Sequence, residues 1–235
     1  MGKEFEISRE VELPGTPDAV FQAVATGEGN ASWLFPSEGG GTIVNADPPH
    51  RFTVRAEGPD GWFNQVDFRI EAHGDGAILR YVHSGVFDAE GWDDQYDAVN
   101  SHTDFYLHTL GEYLEHFNGR QVTYVGQPSA GIEGPASAGG PDAMDTLRAA
   151  LGVSSDASVG TAVHASLGEA GTLDGVIDYS TPEFLGVRAA DGLYRFFGRN
   201  FYNGVVGMSA HLFVDGVDAA AREAALKSWL DGVYE

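Results

Sequence analysis

The stretch from Trp92 to Phe117, WDDQYDAVNSHTDFYLHTLGEYLEHF, contains no proline and a single glycine, Gly111. Tyr96, Val99, Tyr106, Leu110, Leu114 and Phe117 recur at helical steps, with Leu107 and Tyr113 beside them. That spacing predicts one amphipathic α-helix. About 25 residues at ~1.5 Å each make a rod of roughly 37 Å. A stripe so long must lie across an equally extended surface. Its mixture of tyrosines and Thr103 with leucines is less apolar than a pure core stripe. Ligand pockets combine apolar walls with a few polar groups in this way.

The residues before this helix supply the surface. In KEFEISREVEL, Phe5, Ile7, Val11 and Leu13 alternate with Glu4, Glu6, Glu10 and Glu12, which predicts a strand with one wet face. Arg9 falls on the apolar face, where a charge requires a partner. In GTPDAVFQAVA, Thr16 is a natural N-cap and Pro17 a natural first helical residue. A further helical turn is expected over Ala31–Leu34. Strands are expected at Thr42–Asn45 and Arg51–Ala56 around the turn signal DPP, and at Trp62–His73 and Ala77–Ser84. In these, Val66, Phe68, Ile70, Leu79, Tyr81 and His83 point one way, and Asp67, Arg69, Glu71 and Arg80 the other. Trp33, Phe35, Trp62 and Trp92 fall in loops or at element ends, as gates to a pocket or as structural plugs. Asp93, Asp94, Asp97 and Asp104 read as the solvated side of the helix, favoured by its dipole.

After Gly119 the order recurs faintly. GRQVTYV repeats the spacing of SREVELP, and GPDAMDTLRAAL echoes TPDAVFQAV. Strands are expected at Gly160–Leu167, Leu173–Ser180, Glu183–Ala189, Gly192–Gly198 and Val205–Val214, then a helix from about Asp218 to Val233. In DGLYRFFGRNFYNG the apolar residues occupy both faces, so both faces of that sheet are expected to be covered. Gly126–Pro141 is rich in Gly, Pro and Ser and reads as a mobile loop. The expected division is therefore two tandem modules, 1–119 and 120–235.

Charge and composition narrow the function. The formal net charge is −22, and only two of the 13 basic residues are lysines, Lys3 and Lys227. Such a surface repels phosphate backbones and anionic lipid, so neither nucleic acid nor membrane is an expected partner. There is no cysteine, and no apolar run reaches the ~20 residues of a membrane span. The N-terminus is too polar for a signal peptide, so the expected location is cytoplasmic. His102, His108 and His116 share one helix without an i, i+4 pair, and no metal or cofactor is expected. GMSAH at Gly207–His211 is not a nucleophile motif, and no catalytic residue is assigned.

The motif order resembles the START-like (SRPBCC) helix-grip superfamily, and within it the branch of heat-shock-protein ATPase activator homologues. The residues carrying the resemblance are Arg9, Pro17 with Val20 and Phe21, Pro48–Pro49, and Leu107–Leu110–Tyr113–Leu114. It departs from the branch at His102–Thr103, where a Gly-Trp pair is usual, and between Phe35 and Thr42, which is shortened. The second half resembles a degenerate copy. The resemblance implies an α+β fold in which a curved antiparallel sheet grips the long helix around a cavity. Phe68, Tyr81, His83, Tyr96, Thr103 and Tyr106 are expected to line that cavity, with Arg9 as a polar anchor. The implied function is binding of a small hydrophobic molecule: a lipid, a polyketide-like compound or an aromatic. One alternative is a cyclase- or aromatase-like enzyme with His83 as base. Another is a co-chaperone-type interaction module whose acidic surface meets a chaperone or other basic partner.

Overall fold

The computed structural model describes residues 2–36, 41–128 and 130–235. The shortened segment after Phe35 lies partly outside the described residues. The chain divides into two compact units, Met1–Asn118 and Gly119–Glu235.

The first unit runs β1 (Lys3–Leu13), α1 (Pro17–Ala25), α2 (Gly27–Ala31), β2 (Thr42–Asp47), β3 (Arg51–Glu57), β4 (Phe63–His73), β5 (Gly76–Phe87) and α3 (Trp92–His116). Its sheet is antiparallel, in the order β1-β5-β4-β3-β2, so the meander returns to pair with the strand that began it. The long helix α3 packs on β1, β5 and α1. This is the α+β helix-grip arrangement.

Local chemistry explains the element ends. The Ala19 amide donates to the Thr16 hydroxyl at 3.3 Å, and Pro17 fills a first-turn position whose N–H would have no helical partner. The second short helix begins earlier than Ala31, because the Thr26 hydroxyl caps it by accepting from the Gly29 amide at 3.0 Å. Strand β5 runs beyond Ser84 to Phe87 because β1 pairs with it along its whole length. Gly85 is required there: a Cβ would stand 2.8 Å from the Phe5 ring, which crosses that position.

The outer face of this sheet is wet and charged. Arg80 reaches Glu10 and Glu71, each at 2.7 Å. Asp67 accepts from Arg51 at 2.8 Å, Arg69 at 2.9 Å and Thr53 at 2.5 Å. Burial alone would raise the Asp67 carboxyl, but the bonds from Arg51, Thr53 and Arg69 outweigh it and hold it below the usual range.

The second unit runs β6 (Thr123–Val125), β7 (Ile132–Glu133), α4 (Ala143–Ala150), β8 (Ala162–Ser166), β9 (Thr172–Ser180), β10 (Phe184–Ala189), β11 (Gly192–Gly198), β12 (Val206–Leu212) and α5 (Ala219–Val233). Its seven-stranded sheet has the order β6-β12-β11-β10-β9-β8, with β7 also on β12. The order of elements is of the same kind as in the first unit (an opening strand, helix, antiparallel meander, return to the opening strand, closing helix), with one more meander strand and the short β7 added. Helices α4 and α5 cover a core that includes Leu147, Val187, Phe196, Met208, Leu226 and Leu230. The opposite face of β10–β12 is buried too, as its apolar composition predicts, through Phe184, Leu193, Phe197 and His211.

Gly126–Pro141, read from its composition as a mobile loop, carries secondary structure. It contains β7 and a 3₁₀ turn at Ala136–Gly139, and Ile132 and Ala138 are buried. Its glycines mark close approach rather than flexibility: a Cβ on Gly131 would lie 2.6 Å from the Met208 carbonyl oxygen. Among the described residues no helix is long and apolar enough to cross a membrane.

Candidate functional site

Register lays the inner face of the first sheet in rows. Arg9, Tyr81, Phe68 and Phe52 stand opposite one another across β1, β5, β4 and β3. Ile7, His83, Val66 and Val54 form the next row, and Phe5, Gly85, Asn64 and Ala56 the third. The aromatic rings form a continuous chain. Phe52 lies 6.5 Å from Phe68, Phe68 5.5 Å from Tyr81, and Tyr81 6.4 Å from His83. Phe5 meets His83 edge-on at 5.0 Å.

The helix brings the polar groups. The Thr103 hydroxyl donates to the Val99 carbonyl at 2.8 Å. Tyr81 as a whole is part-buried. This burial pushes the phenol well above its ordinary value, against the opposing pull of Thr103 and Arg9. Arg9 reaches from the sheet to the edge of α3. Its Nε donates to Asp104 at 2.5 Å, and Nη2 donates to Asp104 at 3.1 Å and to Asn100 at 2.8 Å. The bond to Asp104 raises the guanidinium pKa further. Asp104 therefore departs from its reading as one of a set of purely solvated acids.

His83 has its Nε2 3.2 Å from the Asn64 side-chain oxygen. Burial pushes its pKa down to about 4, so it is neutral at pH 7. Tyr96 stacks on Trp92 at 5.0 Å, and the Lys3 ammonium lies 3.6 Å above the Trp92 ring. Tyr106 meets Phe35 at 6.2 Å and His102 at 5.9 Å.

Burial is graded along this interface. On α3, Phe105, Leu107, Thr109, Leu110, Tyr113 and Leu114 are buried, whereas Tyr96, Val99, His102 and Tyr106 are only part-buried. On the sheet, Ile7, Phe68, Ile70 and Leu79 are buried, whereas Val54, Val66, Tyr81 and His83 are part-buried. Buried Thr103, Ile7 and Phe5 stand among these part-buried residues. The groups facing one another between sheet and helix are aromatic and aliphatic, with Thr103, His83 and the Arg9–Asp104 pair as the polar points among them.

Of the residues expected from sequence, Arg9, Phe68, Tyr81, His83 and Thr103 form one contiguous group. Tyr96 and Tyr106 share the helix stripe but lean on different partners, Trp92 and the Phe35–His102 pair. Val54, Val66 and Asn64 belong to the same wall and were not expected. Only register places them beside His83. Asn100 and Asp104 had a legible signal: two hydrogen-bonding side chains four residues apart on a helix, facing a strand with an inward arginine. Trp33 is a plug, buried with its indole N–H donating to the Ala23 carbonyl at 2.9 Å. Among the described residues no group of three or more His, Asp or Glu side chains converges as a metal-ligand set.

Fold and register together define a helix-grip α+β unit with an aromatic sheet-to-helix interface. Neither a protein-family model nor a curated protein matches the chain. Solved structures do. The Aha1 dimer from Colwellia psychrerythraea is 17% identical with a TM-score of 0.40, over 47% of this chain and 96% of that one. An AHSA1-like protein from Rhizobium etli is 22% identical with a TM-score of 0.37, over 52% of this chain and 92% of that one. CalU16 from Micromonospora echinospora is 21% identical with a TM-score of 0.35, over 48% of this chain and 74% of that one.

Proposed function

We propose that the first unit binds a small hydrophobic molecule, a lipid, polyketide-like compound or aromatic, in the recess between its sheet and α3. The observation that carries this reading is the graded burial. A helix needed only to close a core would bury Tyr81, His83, Val66, Val99 and Tyr106 as it buries Leu107 and Leu110. Instead these apolar and aromatic walls stay accessible beside a few polar groups, the composition of a ligand site. Phe68, Tyr81, His83, Tyr96, Thr103 and Tyr106 line the site, and Arg9, held by Asp104, marks its polar rim. The shared connectivity supports reading residues 120–235 as a second, degenerate module of the same kind.

Binding is favoured over the cyclase-like reading by the state of His83. A base with a pKa of about 4 is a weak proton acceptor at neutral pH. One observation favours the interaction-module reading: Ile43 and Val44 on edge strand β2 are 59% and 57% exposed.

Native mass spectrometry of the purified protein, followed by denaturing extraction, tests the binding reading. Recovery of a lipid or aromatic molecule, with loss of its retention in Tyr106→Ala and Tyr81→Ala, is the expected result. An empty protein whose melting temperature does not rise across a hydrophobic ligand panel would move the assignment to the β2 surface.

A further inference from the structure

A cleft of about 910 Å³ lies in the second unit, away from the recess described above. Its walls are α4, the segment Ser155–Val159, the turn Ser180–Glu183, and Asn200. At its wall stands Arg148, which is only 2% exposed. The guanidinium donates from Nη1 to the Ser180 hydroxyl at 3.3 Å, and from Nη2 to the Thr181 carbonyl at 2.5 Å and the Phe184 carbonyl at 3.3 Å. All three acceptors are neutral. The other buried arginines among the described residues have carboxylates: Arg195 has Asp178 at 2.8 Å, and Arg199 has Glu133 at 3.5 Å. Arg148 is thus a buried cation held by neutral oxygens in a chain with 35 acidic and 13 basic residues. Burial lowers its pKa, which Asp145 partly offsets. A buried charge whose direct hydrogen-bond partners are all neutral is costly, and a carboxylate delivered by a ligand would supply a direct ion pair.

The rest of the cleft specifies more than an anion. Asp145, Asp156 and Glu183 also line it, beside the hydroxyls of Ser155, Ser158 and Thr181 and the apolar surfaces of Met144 and Pro182. One cation and three acids repel a bare dianion such as phosphate. They complement a molecule that carries a carboxylate and an ammonium group together.

We propose that this cleft binds a small amino-carboxylate of the free amino-acid class. Its carboxylate meets Arg148 and its ammonium group meets the acids at the rim.

Titration calorimetry of the full chain with L-leucine, L-glutamate, acetate and methylammonium tests this. At least one amino acid should bind at least tenfold more tightly than acetate or methylammonium, and Arg148→Met should abolish the binding. Because Arg148→Met also removes three internal hydrogen bonds, Asp156→Asn and Glu183→Gln serve as exposed-site controls. They should weaken amino-acid binding severalfold while leaving acetate unchanged. The proposal is overturned if neither amino acid binds, if acetate binds as tightly, or if a folded Arg148→Met protein retains the affinity.

Discussion

The two units follow one connectivity and treat the outside of their sheets in opposite ways. In the first unit the strands alternate. Phe68 and Ile70 face the helix, and Asp67, Arg69 and Glu71 face away into a network of ion pairs. In the second, every residue of β11 and β12 is buried. A sheet covered on both faces cannot alternate apolar with solvated side chains, so its polar groups must be satisfied inside. Arg195 and Asp178, with side chains 1% and 2% exposed, are the consequence. The closing helices differ in step. The first has 25 residues and leaves its N-terminal half only part-packed, while the second has 15. The part-buried side chains between sheet and helix on which the binding proposal rests therefore belong to the unit with the longer closing helix.

The sharpest way to break this contrast is to remove one carboxylate from each unit. Asp178→Ala removes the carboxylate from a buried guanidinium and should cost about 3–5 kcal/mol. The double variant Asp178→Leu/Arg195→Met should recover most of that loss. Asp67→Ala leaves Arg51 and Arg69, both well exposed, and should cost only about 1–2 kcal/mol. Equal losses in denaturant unfolding would mean that the two faces are not energetically distinct.

Within the first unit, Leu110→Ala at the closed end should cost about 2–5 kcal/mol. Val66→Ala at the open end should cost about 1 kcal/mol, while reducing retention of any bound hydrophobic molecule. A large stability loss from Val66→Ala would show that the open end is packed in solution.

A titration of stability sharpens the picture next. The folded pKa of His83 is depressed, so the unfolded chain binds a proton that the folded chain refuses. The stability is fully present above pH ~6.5, falls as the pH drops, and levels off near pH 4. The loss should reach at most roughly 3 kcal/mol and should vanish in His83→Phe. A bound ligand that desolvates His83 further would extend the fall to lower pH.

The smallest effect is expected at the rim. The Arg9–Asp104 pair is part-exposed, so Asp104→Asn should cost less than about 1 kcal/mol, and less still in high salt. A loss several times larger would make this pair a structural clasp rather than a marker of the recess edge.

The sequence by itself determined the elements whose signals are local and periodic. The helix stripe from Tyr96 to Phe117, the alternation in β1 and β4, the Thr16 cap and the doubly apolar β11 all follow from residue spacing. It also determined which residues face inward, because a strand has only two faces. Tertiary structure alone decided the rest. Period-based reading misses Ile132–Glu133, since two residues carry no period and the strand exists only through its pairing with Gly207 and Met208. Val66 and Asn64 join His83 through cross-strand register, which no single segment encodes. That Asp104 belongs to Arg9 required the chain to fold back over a separation of 95 residues. Which residues of the long helix meet the sheet, and which stay part-buried, is likewise settled only once the two surfaces are laid together.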